Sequence, residues 1–387
     1  TGLPVLVWIH GGMFTKGSGA SPGYRGASFA RDGVVCVTIN YRLGAEGFLH
    51  LDDGAPNLGL LDQIAALEWV RDEIAAFGGD PSRVTVAGQS AGAVSVTTLM
   101  AMPRARGLFH QAIIQSGAAA QTLTPEAAAA TAACLAASLR IVPTRDAFAG
   151  IPVERLTRAV SALVKEAQTA ADPATWDSLP FAPVIDGAVL PAHPLDALSK
   201  GASDDVRLLA GWNRDDTRIG LVPTGMIDLV DERVLASVAG AAIDPYRRAR
   251  PGASSGDLLA ALTTDRFVRM PMTRVAEARL AGGATDTWMY RFDHESPSFG
   301  GRLGAAHAVE IPYVFDLLDE TACHPLVGDR PSRAVGATAH GAWVRFVTDG
   351  DPGWPRYDLA DRPTALIGER ITVAHDPGGA ERETWDG

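Results

Sequence analysis

The chain has 387 residues, 47% of them hydrophobic and 20% charged, which is enough apolar material for a large core and excludes a disordered chain. A net charge of −11 gives nucleic-acid binding no electrostatic support. Cys36, Cys134 and Cys323 are odd in number and widely spaced, so neither a disulfide framework nor a metal site is expected, and no apolar run has the length of a membrane span.

In chain order, residues 4–9 (Pro-Val-Leu-Val-Trp-Ile) and 34–39 (Val-Val-Cys-Val-Thr-Ile) are continuous apolar, β-branched runs, which fit strands of a parallel sheet covered on both faces. Cys36, inside the second run, reads as a buried inert thiol. From Asn57 to Phe77 the period changes: Leu60, Ile64, Leu67, Val70, Ile74 and Phe77 form one helical stripe, with Asn57 as N-cap and Gly78-Gly79-Asp80-Pro81 as the stop. A strand over 83–87, a turn, a helix and a further strand over 111–115 continue the β-α-β alternation of a doubly wound sheet. Two helical excursions follow, about 118–204 and 225–282, which are expected to overlie the strand ends as a cap. Strands at 206–210 and 287–292, a helix at about 332–348 and short β pieces at 364–374 complete a single α/β domain over 1–387.

The turn is Gly88-Gln89-Ser90-Ala91-Gly92, a serine between two glycines where a strand end meets a helix start. That is the nucleophile-elbow pattern: the turn is too tight for side chains at its flanks, and it lifts the Ser90 hydroxyl toward the positive end of the following helix. Serine is a poor nucleophile until a base takes its proton, so Ser90 needs a histidine oriented by a carboxylate, in the chain order Ser, acid, His. His307 follows a late strand and Asp216 follows the strand at 206–210, with Asp215 as the alternative acid. Backbone N–H donors at the oxyanion are each worth roughly 10²–10³ in rate. Ala91 supplies one, and the glycine-rich His10-Gly11-Gly12-Met13-Phe14 directly after the first strand can supply the others.

These stretches resemble the type-B carboxylesterases, the family of cholinesterase-like and para-nitrobenzyl-esterase-like hydrolases. The resemblance runs nearly end to end through 5–12, 57–63, 77–81, the elbow, 107–109, 115–117, 183–187 and the His307 segment. It implies an α/β-hydrolase fold, a doubly wound and mostly parallel sheet with helical cap excursions. It further implies Ser90 as nucleophile, His307 as general base and acid, Asp216 as the orienting carboxylate, and the N–H groups of Gly12, Met13 and Ala91 as oxyanion donors. The substrate would be a small-molecule carboxylic ester cleaved through an acyl-enzyme, with no metal, cofactor or nucleic acid involved. The family usually has glutamate where Asp216 stands, and many relatives have glutamate where this chain has Gln89. Relatives also carry further residues before the first strand seen here, so an upstream segment with any targeting signal is expected, and a cytoplasmic setting is favoured.

Beside the triad, Gln89, Leu179, Phe181 and Trp212 are candidates for the substrate pocket, against ordinary core packing for the hydrophobic three. His10 reads as a structural residue fixing the oxyanion turn, Glu310 as a buttress, and Ser116 as a hydrogen-bonding residue behind the site. His294, His324 and His340 carry no motif and read as surface or cap residues. Two rival functions remain open at this level. One is a non-catalytic cholinesterase-like binding protein; the other is the same triad acting on amides, carbamates or lactones.

Overall fold

The computed structural model describes residues 2–118, 121–169 and 179–385. Eight strands form one sheet in the order β2-β1-β3-β4-β5-β6-β7-β8. They are β1 (Leu3–Ile9), β2 (Val35–Ile39), β3 (Gly79–Gln89), β4 (Gln111–Gln115), β5 (Arg207–Asn213), β6 (Thr287–Phe292), β7 (Pro363–Ile367) and β8 (Ile371–His375). Every pairing is parallel except β7 with β8, so the fold is the expected α/β-hydrolase arrangement. The alternation of side chains along a strand divides the core into two layers. From β1, Val5, Val7 and Ile9 enter one layer with the helix Leu58–Glu73 and the helix Ala91–Ala101, while Leu6 and Trp8 enter the other with the helix Arg333–Asp349.

The helix beginning at Leu58 buries Leu60, Ile64, Leu67 and Val70 as its stripe requires, but it ends at Glu73 and tightens into a 3-10 turn over Ile74–Phe77. Phe77, expected at the end of that stripe, is 64% exposed beside Trp69. Asn57 stands at the cap position in a left-handed conformation without capping the helix. Its amide instead bonds the Val184 carbonyl and Asp186, and its carbonyl takes the Val184 N–H. That long-range clasp outcompetes the local cap. Strand β3 starts at Gly79, four residues before the expected start, and pairs Leu3 with Gly79 across an irregularity at Leu3/Val5.

The helical blocks are not all cap. The helix Met270–Ala281 closes the second block and buries Met272, Val275 and Ala276 in the same layer as Leu208, Ala210 and Met289 of the sheet. It is therefore a sheet-covering crossover between β5 and β6. Arg279 on this helix is 1% exposed and donates to the Ser203 and Val206 carbonyls and to Thr287, which locks it to the start of β5 and β6. Cys36 lies half-buried on the edge strand β2, where burial pushes its thiol up to about 12 and leaves it inert. His340, read as a surface or cap residue, is 5% exposed. Its ring bridges the Val314 carbonyl and Asp32, tying the helix Arg333–Asp349 to the chain between β1 and β2.

Candidate active site

The expected site residues gather at the carboxyl ends of parallel strands, where an open α/β sheet offers its crevice. Ser90 follows β3, the 10–14 turn follows β1, Asp216 follows β5, and His307 follows β6. Backbone bonds stitch these ends together. The Ser90 N–H donates to the Gln115 carbonyl at 2.9 Å, Ser116 N–H to Gly211 at 2.9 Å, and His307 N–H to Asp216 at 3.0 Å. A shift at one strand end therefore reaches its neighbour directly.

Ser90 has φ 59° and ψ −126°, immediately before the helix Ala91–Ala101. The elbow holds because Gly92 lets the turn close on β1: a Cβ there would lie 2.0 Å from the Ile9 carbonyl oxygen. Met13, Phe14, Ser116 and Ala308 share the positive φ of Ser90, so five of the twelve non-glycine residues with this backbone among those described belong to the site segments. Each costs of order 1–3 kcal/mol, and the strain is stored where side chains and N–H groups need to be aimed.

The 10–14 turn has a definite arrangement. The Gly12 carbonyl accepts the N–H groups of Thr15 and Lys16, at 3.1 and 3.0 Å, which fixes the peptide plane. The N–H groups of Gly12 and Ala91 meet no acceptor among the described residues, as an oxyanion site requires. His10 is 1% exposed, stacks on Tyr41 at 4.6 Å, and hydrogen-bonds the Gly11 carbonyl through Nδ1 at 2.7 Å. The Tyr41 hydroxyl donates to the His10 carbonyl at 2.8 Å. Burial lowers the His10 pKa, in keeping with a neutral structural ring.

Asp216 is fully buried, whereas 24% of the His307 side chain is exposed. His307 Nδ1 donates to Asp216 Oδ1 at 2.5 Å, and Asp216 Oδ2 receives the Ser116 hydroxyl at 2.8 Å and the Asn213 N–H at 2.9 Å. The alternative acid, Asp215, faces elsewhere, toward Arg214 and the Ala305 N–H. Glu310 is also buried; it accepts from Asn213 Nδ2 at 2.5 Å and Gln115 Nε2 at 3.1 Å, and burial raises its pKa. Burial opposes the His307 imidazolium, but the Asp216 hydrogen bond and charge, with Glu310 behind, outweigh it and hold the ring above its ordinary value. Among the described residues no group of histidine, cysteine and carboxylate side chains has the arrangement of a metal site.

The pocket candidates divide. Gln89 is 3% exposed and its Nε2 lies 2.9 Å from His307 Nε2, so it belongs to the cluster around His307 rather than to a pocket wall. Trp212 is 4% exposed beneath the Arg269 guanidinium, 5.9 Å from its ring, and Phe181 is fully buried, both as core packing residues. Leu179 is half-buried at the start of the described segment, and the neighbouring Asp177 and Ser178 lie outside the described residues. Asn213 was missed by sequence reasoning. Its signal was a polar side chain ending the apolar run 208–212 of β5, two residues after Gly211 and three before Asp216.

The model of the "Carboxylesterase family" matches residues 1–377. The para-nitrobenzyl esterase of Bacillus subtilis (strain 168) is 37% identical over 98% of this chain and 79% of its own length. The phenmedipham hydrolase of Pseudarthrobacter oxydans is 35% identical over 96% of this chain and 77% of its own. Among solved structures, the Geobacillus stearothermophilus carboxylesterase EST55 at pH 6.2 superposes with a TM-score of 0.88 at 36% identity, covering 100% of this chain and 82% of that one.

Proposed function

The chain belongs to the carboxylesterase family and is a carboxylic ester hydrolase, and from that premise we propose that Ser90, His307 and Asp216 carry the reaction on neutral esters. The observation that carries the assignment is the 2.5 Å bond from His307 Nδ1 to buried Asp216, together with a serine held in the elbow conformation one residue after Gln89, which contacts the same ring. Asp216 fixes the neutral ring with its proton on Nδ1, which leaves the Nε2 lone pair for the Ser90 proton. Ser90 Oγ then bonds the ester carbonyl carbon, and the carbonyl oxygen takes the negative charge within reach of the Gly12, Met13 and Ala91 N–H groups. As the tetrahedral intermediate collapses, the carbon–alkoxy bond breaks and His307 gives its proton to the leaving alcohol. Water repeats the sequence on the acyl-enzyme: His307 takes its proton, the hydroxyl bonds the carbon, and the acid leaves as the proton returns to Ser90 Oγ.

The preference for neutral substrates is supported by Gln89, which places an uncharged amide beside the nucleophile. Stopped-flow hydrolysis of a neutral nitrophenyl butyrate tests the mechanism: a burst of one nitrophenol per active site, absent in Ser90→Ala, is expected. Comparison with butyrylcholine tests the preference, and faster turnover of the choline ester would sink it.

A further inference from the structure

The atom of His307 that must take the Ser90 proton is already engaged. With Nδ1 donating to Asp216, Nε2 of the neutral ring is an acceptor, and the group 2.9 Å from it is the Gln89 amide nitrogen. The Ser90 hydroxyl has no hydrogen-bond partner among the described residues. Gln89 is buried, so its carboxamide sits inside the site rather than in solvent. We infer that Gln89 is a positioning residue that partners His307 Nε2 in both protonation states. It donates from Nε2 to the neutral ring and, once its carboxamide has turned, accepts at Oε1 from the imidazolium. This inference rests on the proposed role of His307 as base.

A carboxamide carries a donor and an acceptor on one plane, and its terminal torsion has a broad, roughly two-fold profile, so one half-turn exchanges the two functions. Glycine at 11 lets the oxyanion turn approach this amide closely: a Cβ there would stand 3.2 Å from Gln89 Oε1 and 2.7 Å from the Gln89 carbonyl oxygen. The charged groups facing His307 are Asp216 from the loop after β5 and Glu310 from its own segment. Tyr290 of β6 adds no charge, since burial and these two carboxylates push its phenol far above the ordinary value. A third carboxylate at position 89 would accept only from the imidazolium and would set its lone pairs against the neutral base. The amide serves the base as well, holding the ring on line while Ser90 waits for substrate and displaces it.

The test is ¹⁵N NMR of histidine-labelled protein across pH, on the wild type and on Ser90→Ala, Gln89→Met and Gln89→Glu, with thermal melts to verify folding. In the wild type and in Ser90→Ala, Nε2 should carry the shift of a hydrogen-bonded acceptor. Gln89→Met should move that resonance toward an unbonded ring nitrogen while the Nδ1–H signal stays. Gln89→Glu should raise the His307 titration midpoint by about one unit or more. The inference is overturned if Gln89→Met leaves Nε2 unchanged, if Ser90→Ala alone removes the bond, or if Gln89→Glu leaves the midpoint in place. A purely structural glutamine would lower the melting temperature of both variants without moving these resonances. Failure of the triad proposal has a separate signature: the NMR pattern as expected, but a pH–rate profile that does not follow the His307 midpoint.

Discussion

Replacing Asp216 by asparagine changes one atom and should nearly abolish turnover. Asp216 accepts three hydrogen bonds: His307 Nδ1 on Oδ1 at 2.5 Å, and the Ser116 hydroxyl and Asn213 N–H on Oδ2 at 2.8 and 2.9 Å. Asparagine offers one oxygen. Setting its NH₂ group against the Asn213 N–H opposes two donors in a fully buried place, a cost of about 1–3 kcal/mol. The oxygen therefore takes the Oδ2 side and the NH₂ group faces His307 Nδ1. The ring must then accept at Nδ1 and carry its proton on Nε2, so the base has no lone pair for Ser90. A histidine trapped in the wrong tautomer costs about 10⁴ in kcat, or ~5.5 kcal/mol of transition-state stabilisation. The assay is kcat/KM on a neutral nitrophenyl butyrate, with circular dichroism to verify folding. Asp215→Asn is the control; its carboxylate serves Arg214 and the Ala305 N–H, and its loss should stay within about tenfold (~1.4 kcal/mol). The reasoning is refuted if Asp216→Asn keeps more than about a tenth of wild-type activity (~1.4 kcal/mol), or if the large loss falls on Asp215→Asn instead.

Gly12→Ala should lower kcat by about 10²–10³ with a folded protein, because oxyanion donors are lost. Gly12 has φ +119° and an added Cβ would meet the Lys16 carbonyl oxygen at 2.0 Å, so the turn must open; a kcat within about threefold of wild type (~0.7 kcal/mol) would contradict this. The pH profile of kcat/KM follows from His307, whose imidazolium is opposed by burial but favoured more by Asp216 and Glu310. Only the neutral ring can take the Ser90 proton, so activity is lost on the acid side, with a midpoint above the ordinary 6.5; a midpoint at or below that value would refute the stated balance.

The parallel sheet was legible because its strands are short β-branched runs buried on both faces, and the elbow because its glycines answer a steric need. The serine and histidine segments could be found from the order of motifs alone. Asp216 against Asp215 could not be decided there. Two adjacent aspartates differ in direction, and direction depends on the Asn213 N–H at the end of β5 and on Ser116 just after β4. Phe77 and Asn57 misled for a related reason: a helical period continues on paper past Glu73, and a cap residue can be claimed by Val184 and Asp186 from 127 and 129 residues away. Gln89 was visible as an uncharged neighbour of Ser90, but its bond to His307 spans 218 residues and appears only in the fold.

Labelling with a fluorescent fluorophosphonate, read by intact mass on the wild type and on Ser90→Ala, tests the proposed site most directly. A single adduct on the wild type and none on Ser90→Ala is the predicted result, since phosphonylation needs the nucleophile, the base and the oxyanion donors together. No adduct on folded wild-type protein, or an adduct that survives Ser90→Ala, would contradict it.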